Sequence, residues 1–344
     1  MYGKAKTVSN ETRVSERETL SGKVGGLVGR IGVQNLSLLV AIVLLVAVLT
    51  IEDPRFLTGP NLKTIGTAVC IMGLLATVET IVMVLGGIDL TVGSVAGLTS
   101  VISGMVFVSS GAVTSIVVAL VVGALCGLFN GVIIVFGRIP PMIATLGGLT
   151  AFKGLAQLIS DGRAQGYTGS DAVYVFLARG TILGLPTLVW VLVVVAIVVH
   201  VLLTYTRMGR NIYAVGGNDT AARLSGVNIN RYIIGVFVLA GVISSIAGLL
   251  ITARTGSGQP VSGSEGLEMQ AITAAALGGV ALRGGKGSMS GTILAVVLLG
   301  VLLNGLSLLG VNPFWQNIVQ GTLLIAAVIV QQLRSGERRI GLPR

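Results

Sequence analysis

Apolar runs of about 20 residues alternate with short polar connections along most of this chain. The first run covers about Val33–Ile51. Others follow near Thr64–Leu85, Val92–Val108, Val113–Phe136, Pro141–Ile159, Pro186–Tyr205, Tyr232–Thr252, Leu267–Leu282, Gly291–Leu309 and Phe314–Leu333. About 20 consecutive apolar residues make a helix long enough to cross the hydrocarbon core of a bilayer. The pattern therefore predicts an all-α polytopic membrane protein with about ten transmembrane helices. The third and eighth runs are short and rich in glycine. The first is too long for a signal-peptide core and is followed by no small-x-small cleavage pattern, so it reads as an uncleaved span. The chain divides into a polar, basic tail (1–32), a transmembrane domain (33–333) and a second basic tail (334–344).

Composition agrees. Of 344 residues, 53% are hydrophobic and only 10% charged, and 50 are glycine. A soluble domain carries about 25% charged residues; membrane helices use small residues to approach one another closely. The net charge of +10 does not point to nucleic acid, because aromatic residues are only 5% and the cations sit in short connections. With the N-terminus in the cytoplasm, the inner segments hold 17 Lys or Arg and the outer segments 5, with Lys153 inside a span. That asymmetry is what the positive-inside rule requires. It places both termini in the cytoplasm, and anionic membrane lipid beside the basic end. Cys70 and Cys126 lie inside apolar runs, and the one histidine, His200, ends another. No catalytic set and no metal-ligand spacing is present, so the chain reads as a transport protein and not an enzyme.

Candidate chemistry sits where the runs break. Glu79 and Asp89 flank the end of the second span, within a stretch that continues through Gly86, Gly87 and Gly93. An acid inside hydrocarbon costs about 3 kcal/mol or more, so it must face protein or water. Asp89 suits either a cap on the third span or a polar element beside a substrate path. Between Arg207 and Arg231 the chain reads Gly216-Gly217-Asn218-Asp219-Thr220-Ala221-Ala222-Arg223-Leu224-Ser225-Gly226. Asn218 or Asp219 caps a short helix there and Gly226 ends it, which suits either a partner-docking helix or an interfacial loop helix. Glu265 and Glu268 follow a turn-rich stretch that fits a gate, a docking loop or a linker. Arg283 to Ser288 fails as a phosphate loop, since Gly287 follows Lys286 where Ser or Thr is needed. Asn130-Gly131 with Pro140, and Asn304-Gly305 with Pro313, form a weak repeat on spans of opposite direction, as an inverted repeat requires. The two asparagines suit helix packing or a path lining.

In order and spacing these motifs resemble the permease subunits of bacterial ribose, xylose and related sugar ABC importers, over about Asn61–Leu333. The resemblance rests on Gly86 to Ser94, Asn130-Gly131, Pro140 to Gly147, Gly216 to Gly226, Gly266-Leu267-Glu268, Leu277 to Gly279 and Arg283 to Ser288. It implies two permease copies, identical or closely related, forming the path. A cytoplasmic ATP-binding subunit would use ATP-Mg, with no cofactor on this chain, and an extracytoplasmic sugar-binding protein would deliver the substrate. It also makes Gly216 to Gly226 the coupling loop. Glu79 departs from the uncharged residue expected at its place. An ion- or proton-coupled secondary transporter, with Glu79 as its relay, is the alternative.

Overall fold

The computed structural model describes residues 33–261 and 264–335; the N-terminal tail and most of the C-terminal tail lie outside the described residues. Among these, the helices are α1 (Val33–Glu52), α2 (Gly59–Leu85), α3 (Val92–Gly137), α4 (Pro141–Ser160), α5 (Ala172–Arg179), α6 (Thr187–Tyr205), α7 (Arg207–Gly217), α8 (Asp219–Leu224), α9 (Ile229–Thr255), α10 (Leu267–Leu277), α11 (Met289–Leu308) and α12 (Pro313–Ser335). A 3-10 turn (Pro54–Leu57) and a two-stranded hairpin, β1 (Thr181–Ile182) with β2 (Leu185–Pro186), complete the set. Among the described residues eight helices are long and apolar enough to cross a membrane. The chain is an all-α polytopic membrane protein.

The third and fourth runs form one helical stretch, α3, whose only non-helical residue is Gly111 (φ 76°, ψ 179°). The packing of α9 shows that the chain reverses there. Thr252 bonds to Ser100 and Ser103, and Gly248 faces Ala96 and Thr99, so α9 runs parallel to the first half. Gly241, Phe237 and Ile234 face Gly123, Gly127 and Gly131 in turn, so α9 runs antiparallel to the second half. This row of glycines at every fourth position lets two backbones meet closely.

The eighth run departs from the expected span. Helix α10 has 11 residues and stops at Leu277, ahead of Gly278-Gly279, with Gly279 at φ 90°. At 1.5 Å per residue it covers about 16 Å, too little to cross alone. The rest of the crossing is non-helical. Gly258, Pro260 and Ser264 lie in turn along the first half of α3, Gly258 facing Gly104, Pro260 facing Gly97, and Ser264 facing Gly97 and Gly93. Helix α2 is the axis of the bundle, buried from Val69 to Leu85, while α1 and α12 are the least buried of the long helices.

Side-chain and backbone contacts sort the connections to two ends. At one end Gln34 meets Leu277, Asn35 meets Ser290, Val84 meets Gly285, Tyr213 meets Gly287 and Gln331 meets Val280. At the other Asn61 pairs with Asn304, Gln165 with Gly258 and Tyr174 with Ser115. The end holding Arg207 to Arg231 and Arg283 to Lys286 is the basic one. Asn130 and Asn304 lie on helices of opposite direction. At the other end, Arg55 donates to Asp53 at 2.7 Å and holds that carboxyl below its ordinary pKa.

Candidate functional site

The second crossing does not lead straight into the third. Helix α2 ends at Gly86, whose φ of 98° suits glycine and whose N–H bonds back to Met83 O and Val82 O. The chain then folds back along α2, because the backbone N–H of Asp89 points at Glu79 Oε2, 3.5 Å away. Glu79 lies six residues before Leu85, about 9 Å inside the bundle. Irregular backbone is tolerated at such depth only where protein satisfies its polar groups. Here Asp89 Oδ1 accepts the Thr91 N–H at 2.8 Å and also the Thr91 hydroxyl, while Thr145 donates to Ile88 O at 3.0 Å. Asn130 Nδ2 donates to Thr91 Oγ1 at 2.9 Å. Gly87 packs against Pro141. Thr91 occupies the cap position before α3, and the Asp89 carboxylate bonds to the Thr91 N–H and not to those of the helix itself. Glu79, Gly87, Asp89 and Asn130 thus come together at one break, with Glu79 fully buried and its Oε1 without a hydrogen-bond partner. Asn304 stands apart, paired with Asn61 at the other end of α2 at 3.0 Å.

Glu268 belongs to a second break, which abuts the first through Gly93. A Cβ at Gly93 would lie 2.5 Å from Glu268 Oε2 and 2.7 Å from Ser264 O; one at Gly97 would lie 2.8 Å from Ser264 Oγ. A small cleft of about 70 Å³ opens here, lined by Ser94, Lys153, Ser264, Glu265, Glu268 and neighbouring apolar groups. Lys153 Nζ donates to Glu265 Oε1 at 2.7 Å, with 36% and 66% of the two side chains exposed. Lys153 lies 12 residues into α4, about 18 Å from its start, near the middle of the membrane. Charges exposed at that depth are incompatible with lipid, so this side of α4 faces water or protein. The exposed small residues Gly147, Thr150 and Gly154 lie on the adjoining face of α4. Thr91, Thr145, Lys153 and Ser264 were not singled out from the sequence. Lys153, a cation within an apolar run, was the available signal. Lys153→Met is expected to lower uptake at least about tenfold by leaving Glu265 unpaired at mid-depth. The swapped pair Lys153→Glu with Glu265→Lys should recover part of it, read as initial uptake rates at matched membrane levels.

The coupling-loop candidates form a compact unit at the basic end. Asn218 caps α8, its Oδ1 accepting the Ala221 N–H at 2.9 Å. Gly226 (φ 82°) ends it, and its N–H bonds to Arg223 O. Ala222 is buried beneath, whereas Ala221, Arg223 and Leu224 point outward, Leu224 at 86% exposure. Gly216 fits against the end of α2: a Cβ there would fall 1.9 Å from Val84 O and 2.7 Å from Gly285 N. Gly285 N–H in turn donates to Val84 O at 2.8 Å, and Gly217 lies against Gly285. The loop is therefore in backbone contact with the residues that lead into Gly86 and Asp89. Among the described residues no group of His, Cys, Asp and Glu is placed to hold a metal ion.

The family model described as branched-chain amino acid transport system / permease component matches residues 61–328. The chain is 38% identical over 295 residues to the ribose import permease protein RbsC of Escherichia coli, covering 85% of this chain and 92% of that one. It is 37% identical over 303 residues to the protein of the same name from Bacillus subtilis, covering 88% and 94%. It is 38% identical over 319 residues to the L-arabinose transport system permease protein AraH of Escherichia coli, covering 90% and 94%. No solved structure matches.

Proposed function

The chain belongs to the branched-chain amino acid transport system / permease component family, and from that premise we propose that it is the membrane-spanning subunit of an ATP-driven importer that carries a pentose or hexose sugar into the cytoplasm. It is a transport subunit and not an enzyme. The sugar class rests on relatives whose names specify ribose and arabinose. The observation that carries the transport role is the charged cleft at mid-depth, where two non-helical breaks meet. Transporters place their substrate sites at such discontinuous helices.

The basic end is the cytoplasmic one, on the Lys and Arg asymmetry, so the loop of α7 and α8 meets the cytoplasmic ATP-binding subunit, which holds ATP-Mg. The sugar-binding protein docks at the opposite face. A second copy of the chain, or a close paralogue, covers the exposed side of α4 and completes the path. Exposed charge at mid-depth and a stripe of small residues both call for a protein neighbour there. The cleft of about 70 Å³ holds about two waters and no sugar ring, so this is a closed state. Opening requires Pro260, Ser264 and Glu268 to withdraw from Gly93 and Gly97. Closure of the ATP-binding subunits pushes on α8. The push passes through Gly216, Gly285 and Val84 to the break at Asp89, which abuts the cleft through Gly93. Glu79, on which an ion-coupled reading would rest, does not line that cleft.

Affinity purification in mild detergent tests this reading. An ATP-binding subunit and a solute-binding protein should be recovered with the chain. Arg223→Glu and Leu224→Ser should each lower recovery of the ATP-binding subunit at least about tenfold at unchanged membrane level. Undiminished recovery from both variants would contradict a docking role for α8.

A further inference from the structure

Helices α1 and α12 stand at the perimeter, α1 packed on α11 and α12 on α10, and they make almost no contact with each other. Between them, at the basic end, lies a cavity of about 420 Å³. This lies within the 300–1,000 Å³ usual for small-ligand sites. Its walls are apolar, formed by Leu38, Leu277, Leu323, Ala327 and Val330, and its lining carries one charge, Lys286. The two glutamine amides beside it are spent on backbone: Gln34 donates to Leu277 O at 3.3 Å and Gln331 to Val280 O at 2.7 Å. Among the described residues no carboxylate pairs with Lys286.

Position and charge order identify the occupant. From Gln331 to Leu323 the cavity follows α12 for eight residues, about 12 Å, from the basic end toward the membrane centre. An apolar slot that opens between perimeter helices at this depth meets lipid, and a cation at its interfacial mouth selects an anionic headgroup. Residues 1–30 are polar and basic and would set like charge against Lys286. We propose that this cavity binds one anionic phospholipid, with its phosphate on Lys286 and one acyl chain against Leu38, Leu277 and Leu323. Helix α10 then links the lipid to transport, since it forms one wall of the cavity and carries Glu268 of the path cleft at its other end. The proposal rests on membrane embedding and stands apart from the identity of the sugar.

Native mass spectrometry of the delipidated full chain, with phosphatidylglycerol or phosphatidylethanolamine added back, tests it. The expected result is one tightly held phosphatidylglycerol per chain, in preference to phosphatidylethanolamine. Lys286→Gln should weaken phosphatidylglycerol binding about fivefold, the effect of one interfacial cation. Lys286→Arg should preserve it, and Ala327→Phe, which fills the slot, should weaken both lipids. Equal phosphatidylglycerol binding by the wild type, Lys286→Gln and Ala327→Phe would overturn the proposal. So would lipid binding that appears only when residues 1–30 are deleted, which would assign the cavity to the N-terminal segment.

Discussion

A Gly216→Val variant is expected to lose at least about tenfold in sugar uptake while still inserting in the membrane and still binding the ATP-binding subunit. The reason is local. A Cβ at position 216 meets backbone on two sides, Val84 O at 1.9 Å and Gly285 N at 2.7 Å, and neither is the movable end of a side chain. Overpacking of this kind costs about 1–3 kcal/mol, and relief requires the loop to separate from the end of α2. That junction is the proposed route from the coupling helix to the break at Asp89. Docking itself uses Arg223 and Leu224, which point away from it. Uptake rates and recovery of the ATP-binding subunit, measured on the same membranes, separate the two effects. Retained uptake would remove Gly216 from the coupling route.

The second large effect concerns folding. Gly127→Leu is expected to leave almost no monodisperse protein after solubilisation, because a Cβ there would sit 2.0 Å from Phe237 O, in one of the two closest approaches of α3 to α9. These two helices share the most extensive helix–helix packing in the bundle, and in lipid such packing cannot be replaced by simple hydrophobic burial. Gly321→Ala is the matched comparison, since a Cβ at Gly321 meets nothing within 4 Å. Its elution profile in detergent should match the wild type. A normal profile for Gly127→Leu would show that α3 and α9 do not pack in this register.

Each apolar run in the sequence corresponds to helix in the structure because the length of a membrane crossing is set by the bilayer and not by neighbours. What hydropathy could not show was geometry at the breaks. Residues 267–282 read as one span, yet only the part up to Leu277 is helical, since Gly278-Gly279 turn the chain while hydropathy stays high. Nor does sequence distance reveal that Asp89 returns to Glu79; that requires the reversal at Gly86. Helix α5, capped by Asp171, has 8 residues, too few to register as a membrane span. The cap by Asn218 was visible because capping is local. The Lys153–Glu265 pair was not, because its members are 112 positions apart.

Energy dependence tests the central claim most directly. Uptake of a panel of labelled pentoses and hexoses would be followed in cells expressing the chain with its copurifying partners, after depletion of ATP and, separately, after addition of an uncoupler with ATP maintained. The expected result is uptake of at least one sugar that collapses without ATP and survives the uncoupler. Uptake that survives ATP depletion and collapses with the uncoupler would contradict the account and make Glu79 the first residue to replace.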